Sequence, residues 1–279
     1  MALHAQVLAY DLTLSNDSIM TRTFTHIALA LAFIVALTSC REYEVTMLNR
    51  MQPGITIANA SLSIIDETSS LVRYALNFSY VLEAEDETER YERYEQYFDH
   101  YKLERVDEYT YEFCSLIYSY GNKVGFRITT DGKRLSEGGN WHVASLQEEF
   151  EYSICGTSEG YDVELTNQNT YDNLTETTTL KFKEYEGESI DVISLGITGH
   201  IHATEKDALT LDIELKEEVR FVSNMGYIAG MVEIECNNFR HGYIDEVIVT
   251  LREGDMHDME YNGEYAMIPN SNAYYRREY

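Results

Sequence analysis

From Ile55 onward, apolar and polar residues alternate through most of the chain. In VRYALNFSYVL, the residues Val72, Tyr74, Leu76, Phe78, Tyr80 and Leu82 fall on one side and Arg73, Asn77 and Ser79 on the other. That is the two-residue period of a strand with one face in a core. LTLDIELKEEVRF repeats it with Leu209, Leu211, Ile213, Leu215, Val219 and Phe221, and Glu217 breaks the apolar row. Around Cys114 the phase slips by one residue: Tyr109, Tyr111 and Phe113 face one way, then Cys114, Leu116, Tyr118 and Tyr120 take over, as a β-bulge would produce. Further strands are predicted near 55–65, 124–130, 141–145, 149–155, 161–166, 177–185, 190–204, 227–236, 243–252 and 259–267. Many antiparallel strands divided by Gly, Asn and Asp turns mean a sandwich or a barrel, and an all-β fold of antiparallel β-sandwich-like lobes is expected. No short-period repeat of the kind that marks a solenoid or propeller is present.

One segment departs from alternation. EDETERYERYEQYFDHYKLER sets Tyr91, Tyr94, Phe98 and Tyr101 at helical spacing, and pairs Asp86 with Arg90 and Glu89 with Arg93 at i,i+4. One inserted amphipathic helix of about four turns is therefore expected near 86–104. Its aromatic stripe is expected to pack on the sheet. The alternative is a ledge of Tyr91, Tyr94 and Tyr101 facing a glycan or protein ligand. The turn-rich TTDGKRLSEGGNW, Thr129 to Trp141, suggests a boundary between a first β-lobe at 51–135 and a second at 140–279.

The uncharged run from Ile27 to Ser39, 13 residues, is shorter than the roughly 20 apolar residues of a membrane-spanning helix. It has the length of the apolar region of a signal peptide. Starting at Met20, MTRTFTHIALALAFIVALTSC places Arg22 in a short basic region, whereas a start at Met1 would put Asp11 and Asp17 there. Residues 1–19 are thus expected to be an extension upstream of the true start, and 20–39 the signal. The run ends in Leu37-Thr38-Ser39-Cys40, which resembles the lipobox of bacterial lipoproteins. The resemblance implies cleavage before Cys40, a diacylglycerol on its sulfur and an acyl chain on the new amino group, with 40–50 as a lipidated tether. Several acyl chains hold far more firmly than one, at about 0.8 kcal/mol per buried CH2. It also implies a cell-envelope address: lipid-anchored at the outer membrane of a Gram-negative bacterium, periplasmic or surface-exposed. The acidic tether start REYE, with Glu42 and Glu44, resembles surface-export tethers.

Charge narrows the partners. The net charge of −27 over the whole chain becomes −26 once residues 1–40 are removed, with 20 basic and 46 acidic side chains left. Nucleic acid and anionic lipid headgroups both call for a positive patch, so neither is an expected partner, and the membrane is reached through the lipid alone. Cys114, Cys155 and Cys236 can form at most one disulfide, and Cys114 and Cys236 sit in apolar strand patterns as inert thiols. The 23 tyrosines suit either sugar or protein contact or sheet surfaces, and the single tryptophan, Trp141, weakens a dedicated sugar platform.

Candidate chemistry is sparse. In GITGHIHATE, His200 and His202 share the polar face of a strand and can jointly ligate zinc or another borderline divalent metal, provided a further ligand lies nearby. REGDMHDMEYNGE gathers Glu253, Asp255, His257, Asp258 and Glu260 in an expected hairpin loop, oxygen-rich as calcium prefers but without EF-hand spacing. No G-x-S-x-G elbow, P-loop or H-E-x-x-H is present. The expectation is a membrane-anchored, non-enzymatic envelope lipoprotein acting as a binding, adhesion or structural module. The rival from a different class is a secreted metal-dependent hydrolase using the His-x-His strand site.

Overall fold

Residues 50–82 form one long helix, α1, where alternation predicted strands at 55–65 and 72–82. The computed structural model describes residues 50–116, 124–169, 174–185, 194–205, 208–222, 226–238 and 243–270, so Cys40 and the expected signal lie outside the described residues. Pro53–Tyr279 is one compact unit; of the other, Met1–Gln52, only residues 50–52 are described. The burial of α1 explains why a helix reads as a strand. Ala58, Ser61, Leu62, Ile65, Thr68, Ser69, Val72, Ala75, Leu76 and Ser79 are buried at the three- and four-residue spacing of a helix. Tyr74 and Tyr80, which lie on other sides, are half-buried as well, and no residue from Thr68 to Ala84 is exposed. In that enclosed second half apolar residues stand at every spacing and a period of two can be drawn through them, whereas the first half keeps an exposed stripe at Gln52, Thr56, Asn59, Ser63 and Glu67.

The second helix, α2, spans Glu87–Phe98, shorter than the expected 86–104. Asp86 caps it by accepting from the Glu89 amide at 2.9 Å, and Glu89 reaches back to the Glu85 amide at 2.7 Å, which satisfies two of the free donors at the helix start. The helix stops because Tyr101–Arg105 are taken up as strand β1. There follow β2 (Thr110–Ser115), β3 (Gly125–Thr129), β4 (Asn140–Ser145), β5 (Phe150–Thr157), β6 (Gly160–Asn169) and β7 (Leu174–Tyr185). The chain continues with β8 (Ser194–Glu205), β9 (Leu209–Val222), β10 (Gly226–Asn238), β11 (Tyr243–Arg252), β12 (Met256–Tyr261) and β13 (Glu264–Pro269).

The antiparallel β architecture expected from alternation is present, among the described residues, as a single thirteen-stranded meander in which every strand pairs with its sequence neighbours. Thr129 to Trp141 does not separate two lobes. β3 and β4, on either side of it, pair directly from Phe126↔Ser145 to Thr129↔His142. The connection folds back on itself through a 3-10 turn at Leu135–Glu137, with Leu135 fully buried. Through Ser115 no bulge occurs: β2 keeps unbroken register with β1 and β3, and Leu116 lies past the strand's end, exposed, while Tyr118 and Tyr120 of the expected phase slip lie outside the described residues. The break at Glu217 is a real irregularity, because β9 gains two residues over β8 between Ile197↔Val219 and Gly199↔Leu215. The single strand expected at 259–267 is a hairpin. Asn262 and Gly263 both take positive φ, 53° and 76°, the two-residue turn whose twist matches that of paired strands.

A sheet this wide must curl, since neighbouring strands rotate by about 20–25°. Its concave side closes around α1. Tyr74 of α1 stacks on Phe126 of β3 at 4.2 Å and approaches Tyr101 of β1 and Phe150 of β5. The adjacent Arg73 lies over Phe221 of β9 at 5.5 Å. Phe78 packs on Tyr111, Phe113 and Trp141, and Phe98 of α2 completes this aromatic cluster against Phe113 at 4.8 Å. Polar ties fix the depth of the helix. Tyr152 of β5 donates to the Leu71 carbonyl at 2.8 Å, and the Glu176 carboxyl of β7 meets the hydroxyls of Thr68 and Thr178 at 2.6 and 2.7 Å. Burial pushes that carboxyl above the usual range, against the opposing effect of its hydrogen-bond donors.

Candidate functional site

With apolar side chains turned inward to α1, the alternate residues of each strand form the outer surface. Register makes rows of them. One row runs His142, Ser153, Glu164, Thr179, His200, Glu214 and Glu233 across β4 to β10. The next runs Glu151, Thr166, Thr177, His202, Asp212 and Glu235 across β5 to β10. A shallow groove of about 590 Å³ lies on these rows, lined by hydroxyls between His142 on one flank and His200 and His202 on the other. A larger groove of about 900 Å³ runs over the β5–β6 turn, Lys181 and Lys183 of β7, Gly196 and Thr198 of β8, and Glu218 of β9. There the Tyr185 hydroxyl donates to Glu218 at 2.7 Å, and the Arg220 guanidinium stacks over the Tyr185 ring at 3.6 Å. A side chain at Gly196 would collide with the Glu218 carboxyl, so this glycine keeps the groove open.

His200 and His202 do share one face, as their spacing requires, and the structure adds a residue that no sequence pattern marks. Asp212 stands directly opposite His202 on β9. Its Oδ1 is 2.6 Å from His202 Nδ1 and 3.5 Å from His200 Nε2, while His202 Nε2 lies 3.1 Å from the Thr204 hydroxyl. Only β-pairing brings Asp212 here, ten residues along the chain from His202, and the pairing partner of a strand is not written in the strand itself.

The tyrosine ledge does not form. Tyr94 stacks against Phe98 at 5.9 Å and donates to the Tyr101 carbonyl at 2.5 Å, and the Tyr101 ring sits edge-on to Phe126 at 5.2 Å. Burial drives the Tyr101 hydroxyl far above its ordinary pKa. Tyr91 alone faces solvent, 64% exposed. The acidic run at 253–260 is also divided. Met256 to Tyr261 is strand, so His257 turns into the core while Asp258 points outward to an ion pair with Arg252. Burial lowers the His257 pKa, and its Nδ1 accepts from the Arg252 amide at 3.3 Å.

Cys114, Cys155 and Cys236 are free thiols, and burial raises the pKa of Cys236. Among the described residues, Glu104, Glu112 and Cys114 form the one group of three potential ligands whose donor atoms all lie within 4.8 Å of one another. Both carboxylates there face cations, Lys102 at 2.8 Å and Arg127 at 2.5 Å. Among the described residues, no helix is long and apolar enough to cross a membrane. No protein-family model, curated protein or solved structure matches this chain.

Proposed function

We propose that this chain is an envelope lipoprotein, held in the outer membrane by lipid on Cys40, whose ectodomain is a non-enzymatic binding or structural module working through its outer sheet surface. The carrying observation is Leu37-Thr38-Ser39-Cys40 at the end of an uncharged run too short to span a bilayer. The filled interior adds support. Since α1 occupies the concave side of the sheet, the polar, hydroxyl-lined grooves on the outside are where a glycan or protein ligand would be met.

The anchor is tested by expressing the full chain in a diderm bacterial host with labelled palmitate. The label should enter the parent protein, and Cys40→Ala should lose it and move from the membrane to the soluble fraction. Label-free parent protein, or Cys40→Ala retained in the membrane, refutes the anchor. Hydroxyl-radical footprinting on intact cells tests the surface: Thr166, Thr177 and Thr179 should be protected relative to detergent-extracted protein. Equal labelling in the two states would remove this face from the proposal.

A further inference from the structure

Two histidines on one strand make half of a metal site, and β9 supplies a third donor beside them. We propose that His200, His202 and Asp212 bind one borderline divalent cation, for which Zn²⁺ is the natural probe, on the outer surface of β8 and β9. Tetrahedral zinc with bonds of about 2.0–2.1 Å sets neighbouring ligand atoms about 3.3–3.4 Å apart. The 3.5 Å from Asp212 Oδ1 to His200 Nε2 already matches that edge. The 2.6 Å to His202 Nδ1 is a direct hydrogen bond that opens slightly when the metal replaces the shared proton.

His202 is also oriented as a ligand would be. The Thr204 hydroxyl, 3.1 Å from Nε2, holds the ring with Nδ1 turned toward Asp212, which is how an outer partner selects the tautomer of a metal-bound histidine. The donors of the three residues do not yet all lie within 4.8 Å, so the ion must draw the imidazoles together. Both side chains are about half exposed, 50% and 43%, so they can turn without disturbing the core. The neighbouring groove leaves room for a water ligand in the fourth position. Glu235, opposite Asp212, adds a negative charge that favours a cation, whereas Glu214, opposite His200, is already paired with Lys216. Two imidazoles favour zinc or copper over calcium, which prefers oxygen ligands only. The tighter trio of Glu104, Glu112 and Cys114 is a poorer host, because Lys102 and Arg127 already face its carboxylates.

The site is independent of the lipid anchor and is tested on the full chain in detergent. Zinc titration by calorimetry at neutral pH should give one ion per chain. Cobalt in its place should show the absorption of a tetrahedral site. His200→Ala, His202→Ala and Asp212→Asn should each weaken binding by about tenfold or more, and His142→Ala on the same face should leave it unchanged. Thermal melts in chelator check that each variant folds. If Asp212→Asn lowers the melt, the exposed His200→Ala decides. Absence of stoichiometric zinc, or binding abolished by Cys114→Ser but indifferent to His200→Ala, overturns the proposal.

Discussion

Glu176 illustrates how a single buried group couples the sheet to the helix at a cost in stability. Its side chain is 1% exposed and its pKa is raised by desolvation, so the folded protein holds a proton there more tightly than the unfolded chain. Stability from this group is therefore greatest in acid and is lost as pH rises through the folded-state value. Glu176→Gln, which keeps the shape and still meets Thr68 and Thr178, should be more stable than the parent at neutral pH, with the advantage vanishing in acid. Denaturant melts from acid to neutral pH check this; a less stable variant at neutral pH would mean that the ionised hydrogen bonds outweigh desolvation. Gly54 poses the opposite problem. A Cβ there would lie 2.5 Å from Cγ of Tyr261, at the base of a ring whose hydroxyl is held by Asp245 at 2.7 Å. Gly54→Ala gains about 1 kcal/mol of helix propensity, yet the overpacking should give a net loss, the clash costing about 1–3 kcal/mol, measurable by urea unfolding. Neither contact was legible in the sequence. A glutamate at a polar-looking strand position and a glycine in a helix acquire these roles only from what packs on them.

At the scale of elements, α1 is the core around which the sheet is built. Phe78 touches rings from β2, β4 and α2, so Phe78→Ala should cost about 3–5 kcal/mol, read as a lower urea midpoint. A loss below about 1 kcal/mol would mean that the aromatic cluster repacks around the gap. The strands from β3 to β11 lie close to where alternation placed them, because their residues alternate between buried and more exposed positions. Alternation failed on α1, whose second half from Thr68 onward has no exposed residue to give its period away, although the first half does carry an exposed stripe at helical spacing, Gln52, Thr56, Asn59, Ser63 and Glu67. It failed again at 253–267, where Asn262-Gly263 was the hairpin signal and the acidic residues around it drew attention to a loop instead. α2 was legible from its i,i+4 pairs and its aromatic stripe, although its C-terminal limit was not, and the capping by Asp86 is seen only in the structure. Tyr101 is a good helix-stripe residue that β2 recruits into a strand.

For the whole molecule, one continuous sheet on one central helix means that Pro53–Tyr279 should unfold as a unit. Calorimetry on the full chain should show a single transition for this region; two separable transitions, divided near residues 130–140, would restore two lobes. The sequence by itself determined the antiparallel β character of the chain, its acidity and the presence of the lipobox-like Leu37-Thr38-Ser39-Cys40 on which the proposed anchor rests. All three are local properties: a two-residue period follows from the pleat of each strand, charge is a count, and a tetrapeptide is read directly along the chain. Only the tertiary structure decided that residues 50–82 are a helix, that the sheet is one layer wrapped around it, and that Asp212 stands beside His200 and His202. These depend on which segments enclose or pair with which, and the same apolar residues satisfy more than one local period until the surrounding sheet selects between them.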